Sequence, residues 1–201
     1  MVNCRLILFM MLSFSWLLKT SHGQILDIPE NNHGVKPDVL IDQEMNPVIG
    51  NLIKTVPRIS TENKVTLDFV IHSLPSGSTA NLIRLNGDSI NGVGGDIPKV
   101  FIHPSPQRAI QVQTAINGTL HSFRIELGAA AIDHHQRLEI EQRYLKDGIY
   151  KFVILLNGNV IHSTTNADAK QFYNVKCFVS GPGSPRLADA TISYFSLTNF
   201  L

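Results

Sequence analysis

The chain has 201 residues, with 17 Lys and Arg against 16 Asp and Glu and a formal charge of +1 at pH 7. That balance gives no pull toward nucleic acid or anionic lipid. A hydrophobic share of 43% and only two cysteines fit a packed core and exclude both a disulfide framework and a disordered chain.

Residues 1–23 read as an export signal. Arg5 supplies the positive start, Leu6 to Leu18 the apolar run, and Ser21-His22-Gly23 the small-residue exit. The run is too short to span a bilayer, so the mature chain is expected to be secreted and extracellular, with no membrane insertion after signal cleavage. Cys4 leaves with the signal, and Cys177 is then alone in an oxidising compartment. Val175, Cys177 and Val179 alternate onto one strand face, which places the thiol in the core. The competing reading is an intermolecular disulfide, and with it self-association.

From 24 to 47 the chain is polar and broken by Pro29, Pro37 and Pro47. It reads as an extended lead-in with little regular structure. Residues 48–201 form one domain, and there an alternation of period two takes over. Val65, Leu67, Phe69 and Ile71 share one face, while Thr66, Asp68, Val70 and His72 share the other. Ile110, Val112, Thr114 and Ile116 oppose Gln111, Gln113 and Ala115. Leu138 and Ile140 oppose Arg137, Glu139, Glu141 and Arg143. Between Tyr150 and Leu156 both faces are largely apolar, as in a central strand. Asn157-Gly158 follows, a hairpin signal because a type I′ turn needs positive φ at both positions. Strands over 175–180 and 191–197 complete the run, and no long amphipathic helix is visible. Short strands separated by Gly, Pro, Ser and Asn clusters predict an all-β fold, a two-sheet antiparallel jelly-roll sandwich.

Several segments, taken in order, carry a resemblance. Gly50 to Pro57 is followed by the strand from Val65 to Ile71, then by the glycine-rich stretch Asn91-Gly92-Val93-Gly94-Gly95-Asp96-Ile97-Pro98. Gly148-Ile149-Tyr150-Lys151-Phe152 leads to Leu156-Asn157-Gly158, and Asn166-Ala167-Asp168-Ala169 leads to Phe172-Tyr173-Asn174-Val175-Lys176. In this order they resemble a concanavalin A-like, laminin-G-like jelly-roll domain of secreted invertebrate proteins, notably of cnidarians. The resemblance covers about three quarters of the chain. It implies a lectin-like module, binding glycans or matrix proteins through a sheet face or the end loops. It also implies calcium at loop carboxylates, with Asp88 and Asp96 as the candidate ligands. Ser180-Gly181-Pro182-Gly183 stands where the family usually has Ser-Asp-Pro-Trp, and the only tryptophan, Trp16, lies in the signal.

The residues offer further candidates. Asn117-Gly118-Thr119 is an N-glycosylation acceptor at a turn. With no tryptophan in the mature chain, Tyr144 and Tyr173 are the candidate sugar platforms, beside Gln111, Gln113 and Arg124. Glu139 and Glu141 sit two apart on one strand face, like the carboxylate pairs of jelly-roll glucanases. Arg137 and Arg143 flank them, however, and a solvated, charge-balanced face is the reading preferred over a glycoside hydrolase or lyase. His134 and His135 point to opposite faces of a strand and share no ion; the other histidines are scattered and read as surface or turn residues. The chain is therefore expected to carry no catalytic residues and no required cofactor, and to meet a glycan or an extracellular protein.

Overall fold

A computed structural model describes residues 34–87 and 96–200. The export signal, Asp88 and the stretch from Asn91 to Gly95 lie outside the described residues. Strands follow one another along the chain: β1 (Asp38–Ile41), β2 (Asn51–Ile59), β3 (Asn63–Ser73), β4 (Ala80–Asn86), β5 (Lys99–Ile102), β6 (Ala109–Ile116), β7 (Thr119–Glu126), β8 (His135–Lys146), β9 (Ile149–Leu156), β10 (Asn159–Asn166), β11 (Phe172–Val179) and β12 (Asp189–Asn199). The helical element among the described residues is one 3-10 turn, Ala129–Ala131.

The strands form two six-stranded antiparallel sheets. The first has the order β1-β12-β3-β8-β9-β10 and the second β2-β11-β4-β5-β6-β7. Alternation explains how they stack. Val65, Leu67, Phe69 and Ile71 of β3 point inward and are at most 1% exposed, and from the second sheet Ile83, Leu85, Val100, Ile102, Ile110 and Val112 meet them with no exposed surface. Burying each such side chain contributes about 1.5–3 kcal/mol, so this interlayer is the main source of stability. Cys177 lies in it with no exposed surface, and its thiol is pushed up to about 12, chiefly by desolvation. In the folded chain it is therefore a small core hydrophobe, out of reach of a partner thiol.

Hairpins are set by turn chemistry. Asn157 and Gly158 take φ of 53° and 76° between β9 and β10, and Asn117 and Gly118 take 51° and 72° between β6 and β7. These are the paired positive values of a type I′ turn, whose twist matches that of the flanking strands. Asp147-Gly148, between β8 and β9, repeats the pattern at 52° and 74°.

Two expectations are corrected. The lead-in is not free of regular structure: β1 pairs with β12, Ile41 is buried, and Met45 bridges Ile192 through hydrogen bonds of 2.8 Å in both directions. The outer edge of β12 supplies backbone partners that the polar, proline-broken sequence does not advertise. The second correction concerns the charged face of β8. Glu139 stays partly exposed, but Glu141 is 9% and Arg143 only 1% exposed. The face is balanced in charge, solvated at Arg137 and closed to solvent at Glu141 and Arg143.

Candidate functional site

The outer face of the second sheet is the one place where the structure assembles several of the candidate ligand residues. Because Ile110, Val112, Thr114 and Ile116 take the inner face of β6, Gln111 and Gln113 must point out. Register then chooses their neighbours. Gln111 lies opposite Phe101 on β5 and Arg124 on β7, while Gln113 lies opposite Lys99 and Ser122. Gln113 Nε2 donates to Ser122 Oγ at 3.2 Å. His103, just past β5, lies with its Nδ1 2.7 Å from Gln107 Oε1 and its Nε2 2.6 Å from Gln111 Oε1. Arg124 is exposed and has no ion-pair partner among the described residues. Lys99 Nζ sits 4.4 Å above the Phe101 ring, a cation–π contact. Desolvation lowers the Lys99 pKa from the usual lysine value, the nearby Asp96 carboxylate opposes that shift, and Arg84 adds to it.

Sequence reasoning missed Lys99, Phe101, His103 and Ser122 as members of this face. The signal for β5 was there, the apolar run Val100-Phe101-Ile102 between Pro98 and Pro104, but it is short. Which strands lie beside it is a property of the fold.

The other candidates fall elsewhere. Tyr173 is 52% exposed but belongs to the start of β11, opposite Arg58 of β2, and its hydroxyl donates to Gln171 Oε1 at 3.1 Å. Tyr144 belongs to β8 in the first sheet, packed edge to face on Tyr150 with ring centroids 5.4 Å apart. Neither ring is a platform beside Gln111, Gln113 and Arg124. That expectation is corrected: Tyr144 lies in the other sheet, and Tyr173 lies in the same sheet but on β11, with β4 and β5 between it and β6, because strand period fixes the face of a residue but neither its sheet nor its neighbours.

Asp96 is taken up by cations, with Arg84 Nε at 2.8 Å and Lys99 Nζ at 4.0 Å. Its proposed companion Asp88 lies outside the described residues. Among the described residues no cluster of three or more His, Cys, Asp or Glu is arranged to hold a metal ion.

Glu139 and Glu141 are held in ion pairs. Glu139 lies 2.5 Å from Lys64 Nζ and 4.0 Å from Arg137 Nε. Glu141 lies 3.3 Å from Arg143 Nη1, and Arg143 Nε reaches Glu62 Oε2 at 3.1 Å. The Phe200 ring closes over the Arg143 guanidinium at 3.9 Å.

Asn117 is exposed at the tip of the β6–β7 hairpin, and its side chain is part of a clamp between the sheets. Ala167 N donates to Asn117 Oδ1 at 2.6 Å, and Asn117 N donates to Asn166 Oδ1 at 2.9 Å. Asn166 Nδ2 in turn donates to Gln142 Oε1 at 2.7 Å. A cavity of about 40 Å³ lies beside this clamp, lined in part by Thr114, Gln142, Phe152 and Asn166.

Two histidines flank one phenylalanine where the two sheets come together. The His162 ring from β10 lies 4.1 Å from Phe123 of β7, and His121 stacks on the same phenylalanine at 6.1 Å. Desolvation lowers the His162 pKa, His121 lowers it further, and His162 Nε2 is buried without a hydrogen-bond partner.

By sequence, the chain matches no protein family and no curated protein. By structure, it is similar to the receptor binding domain of botulinum neurotoxin D, with a TM-score of 0.53 and 14% identity over 82% of this chain and 43% of that one. It is also similar to Trypanosoma rangeli sialidase in complex with 2,3-difluoro-KDN, with a TM-score of 0.51 and 12% identity over 78% of this chain and 25% of that one. The chain thus spans less than half the length of either. At these identities the likeness is one of fold, and together with the two six-stranded sheets it makes the described chain an all-β, two-sheet antiparallel jelly-roll sandwich.

Proposed function

We propose that the mature chain is a secreted recognition module that holds a glycan or an extracellular matrix protein on the outer face of its second sheet. The observation that carries this reading is the array of Gln111, Gln113, Ser122 and Arg124, fixed by the register of β6 and β7. Two amides, a hydroxyl and an exposed guanidinium on rigid strands suit a ligand rich in hydroxyl groups and carrying a carboxylate or sulfate, because Arg pairs with such anions through two parallel hydrogen bonds. Binding of this kind needs no bond-breaking chemistry, and the ion pairs of Glu139 and Glu141 give those acids a structural part instead. The sandwich is shared with a receptor binding domain, which makes binding a role the fold supports; the ligand does not carry over, because fold alone does not fix function.

Export rests on the signal-like residues 1–23, and with export Asn117 becomes an N-glycan acceptor whose Oδ1 can keep its bond to Ala167 N while Nδ2 carries the sugar. Treatment with an amidase that removes N-glycans is expected to lower the mass of the secreted chain and to leave Asn117→Gln unchanged.

The binding reading is tested by presenting the mature chain to arrays of glycans and of matrix proteins, once with calcium and once with chelator. Retention on anionic glycans or on a matrix protein is expected. No retention under either condition removes the proposal, and retention with calcium alone brings in an ion.

Self-association is the second reading. The strands β7 and β10 are each one of the two edges of their sheets, and they expose Leu120, Val160 and Ile161 at 56%, 44% and 44%, as an edge-to-edge contact would use. Sedimentation that stays monomeric at high concentration excludes it.

A further inference from the structure

The chain as a whole is balanced in charge, but its two sheets divide that charge unequally. The strands of the first sheet carry as many acids (Asp38, Asp68, Glu139, Glu141, Asp189) as lysines and arginines (Lys64, Arg137, Arg143, Lys146, Lys151). Those of the second carry Lys54, Arg58, Arg84, Lys99, Arg124 and Lys176 against Glu126. Two of these cations are matched from outside their strands. Lys54 pairs with Asp38 of the first sheet at 2.8 Å, and Arg84 pairs with Asp96 at 2.8 Å. Lys99 Nζ lies 4.0 Å from Asp96, beyond hydrogen-bond reach, and among the described residues no ion pair reaches Arg124 or Lys176.

Register sets these three cations on one line. Val100 and Ile102, Val175 and Cys177, and Ile125 take the inner face of their strands, so Lys99, Lys176 and Arg124 project outward. Lys99 lies opposite Arg84 of β4. Lys176 lies opposite Asn86, two residues along β4 from Arg84. Arg124 lies opposite Gln111, and Gln111 opposite Phe101, two residues along β5 from Lys99 in the other direction. The line therefore runs diagonally from β7 over β5 to β11, and each step crosses two strands and two residues, about 12 Å at the usual strand spacing and rise. The Phe101 ring, 4.4 Å from Lys99 Nζ, supports the middle charge. Off the line, the loop after β11 covers the Asn81 corner: Asn81 N donates to Ser184 Oγ at 3.0 Å and Arg84 Nη1 to Pro182 O at 3.4 Å.

We propose that Arg124, Lys99 and Lys176 bind a linear polysaccharide that carries sulfate groups at regular intervals, laid across the strands from β7 to β11. The inference rests on the second sheet being the recognition face, and it names the ligand class. A sulfate at Lys99 supplies the acceptor that Asp96 does not, while Asp96 stays with Arg84. Two of the three cations are lysines, compact point charges that meet a tetrahedral anion from any direction, whereas a planar carboxylate is better matched by the arginine fork. Gln111, Gln113 and Ser122 lie beside the line as partners for sugar hydroxyls. Glu126 lies two residues beyond Arg124, past the end of the line.

The test is titration of the purified mature chain with a size-defined heparin oligosaccharide, with the same oligosaccharide after removal of its sulfates, and with neutral dextran. Binding is expected for the sulfated chain alone, and it weakens as salt is raised. Lys99→Gln, Arg124→Gln and Lys176→Gln are each expected to lose about fivefold, the upper range for an exposed charge pair. The triple variant loses about a hundredfold, because sites this far apart act independently. The pair Lys146→Gln and Lys151→Gln, on the first sheet, leaves the affinity unchanged. Equal affinity in the triple variant and the wild type, or an equal loss from the first-sheet pair, overturns the proposal. Binding to the desulfated chain or to a matrix protein in preference to the sulfated one also overturns it, and leaves the second sheet as a recognition face for another ligand. Retention on none of the glycans and matrix proteins removes both.

Discussion

The outer faces of the two sheets begin from the same sequence pattern and end as opposites. Leu138 and Ile140 on β8, and Ile110, Val112 and Ile116 on β6, face inward, and polar residues that alternate with them face away from the core. On the second sheet those of β6 are uncharged, stay within reach of solvent and are arranged in rows by register. On the first sheet they are charged, and at the Glu141–Arg143 end they are closed off, with Arg143 held between Glu62 and Glu141 beneath Phe200. Alternation says which residues leave the core, and what then lies over them decides between a binding surface and a buried ionic cluster.

Removing the cation sharpens that contrast most. Arg143→Met leaves two carboxylates largely buried without their partner, and it is expected to destabilise the fold by about 3–5 kcal/mol in urea denaturation. A loss below about 1 kcal/mol, the range of an exposed pair, would make the first sheet's face as solvated as the second's.

The hairpin tips come next. Gly118 and Gly158 both have positive φ, but a Cβ on Gly118 would come within 2.8 Å of Asp168 Oδ2, whereas Gly158 opens on empty space. Alanine at either is expected to cost about 1–2 kcal/mol for the left-handed backbone. Gly118→Ala should be only slightly the costlier, because Asp168 Oδ2 is the far end of a half-exposed side chain that must turn aside. Equal melting temperatures would mean that it turns aside freely.

The smallest effect concerns the seam between two of the edge strands, β7 and β10. The His162 pKa is lowered in the folded state, first by desolvation and then by His121, so the folded chain disfavours the proton that the unfolded chain accepts. The stability this residue contributes is complete above the ordinary histidine pKa, about 6.5, and is lost as pH falls through the lowered folded value. His162→Phe is expected to flatten that part of the stability curve. An unchanged curve would assign the acid sensitivity to other groups.

Much of this architecture was legible in the sequence. The inward row of β3 and the Asn-Gly turns are local patterns, and the structure bears them out. β1 was hidden because its partner, β12, lies about 150 residues away and Asp38–Ile41 shows no period of its own. Arg143 was misread because its cover, Phe200, arrives from the C-terminus. Gln111 and Tyr144 were grouped although they belong to different sheets, since strand period is blind to layer. The diagonal of Arg124, Lys99 and Lys176 joins β7, β5 and β11, whose order within the sheet no local pattern states.

The most direct test of the second sheet as the recognition face is the affinity of the mature chain for its retained glycan or matrix protein, compared with that of a Gln111→Ala, Gln113→Ala, Arg124→Ala triple variant. The account predicts a loss of at least about tenfold, the worth of one or two net hydrogen bonds, in a variant that stays folded, with the melting temperature lowered only by loss of the bond that Gln111 makes to the buried His103. Equal affinity in the two proteins would contradict it.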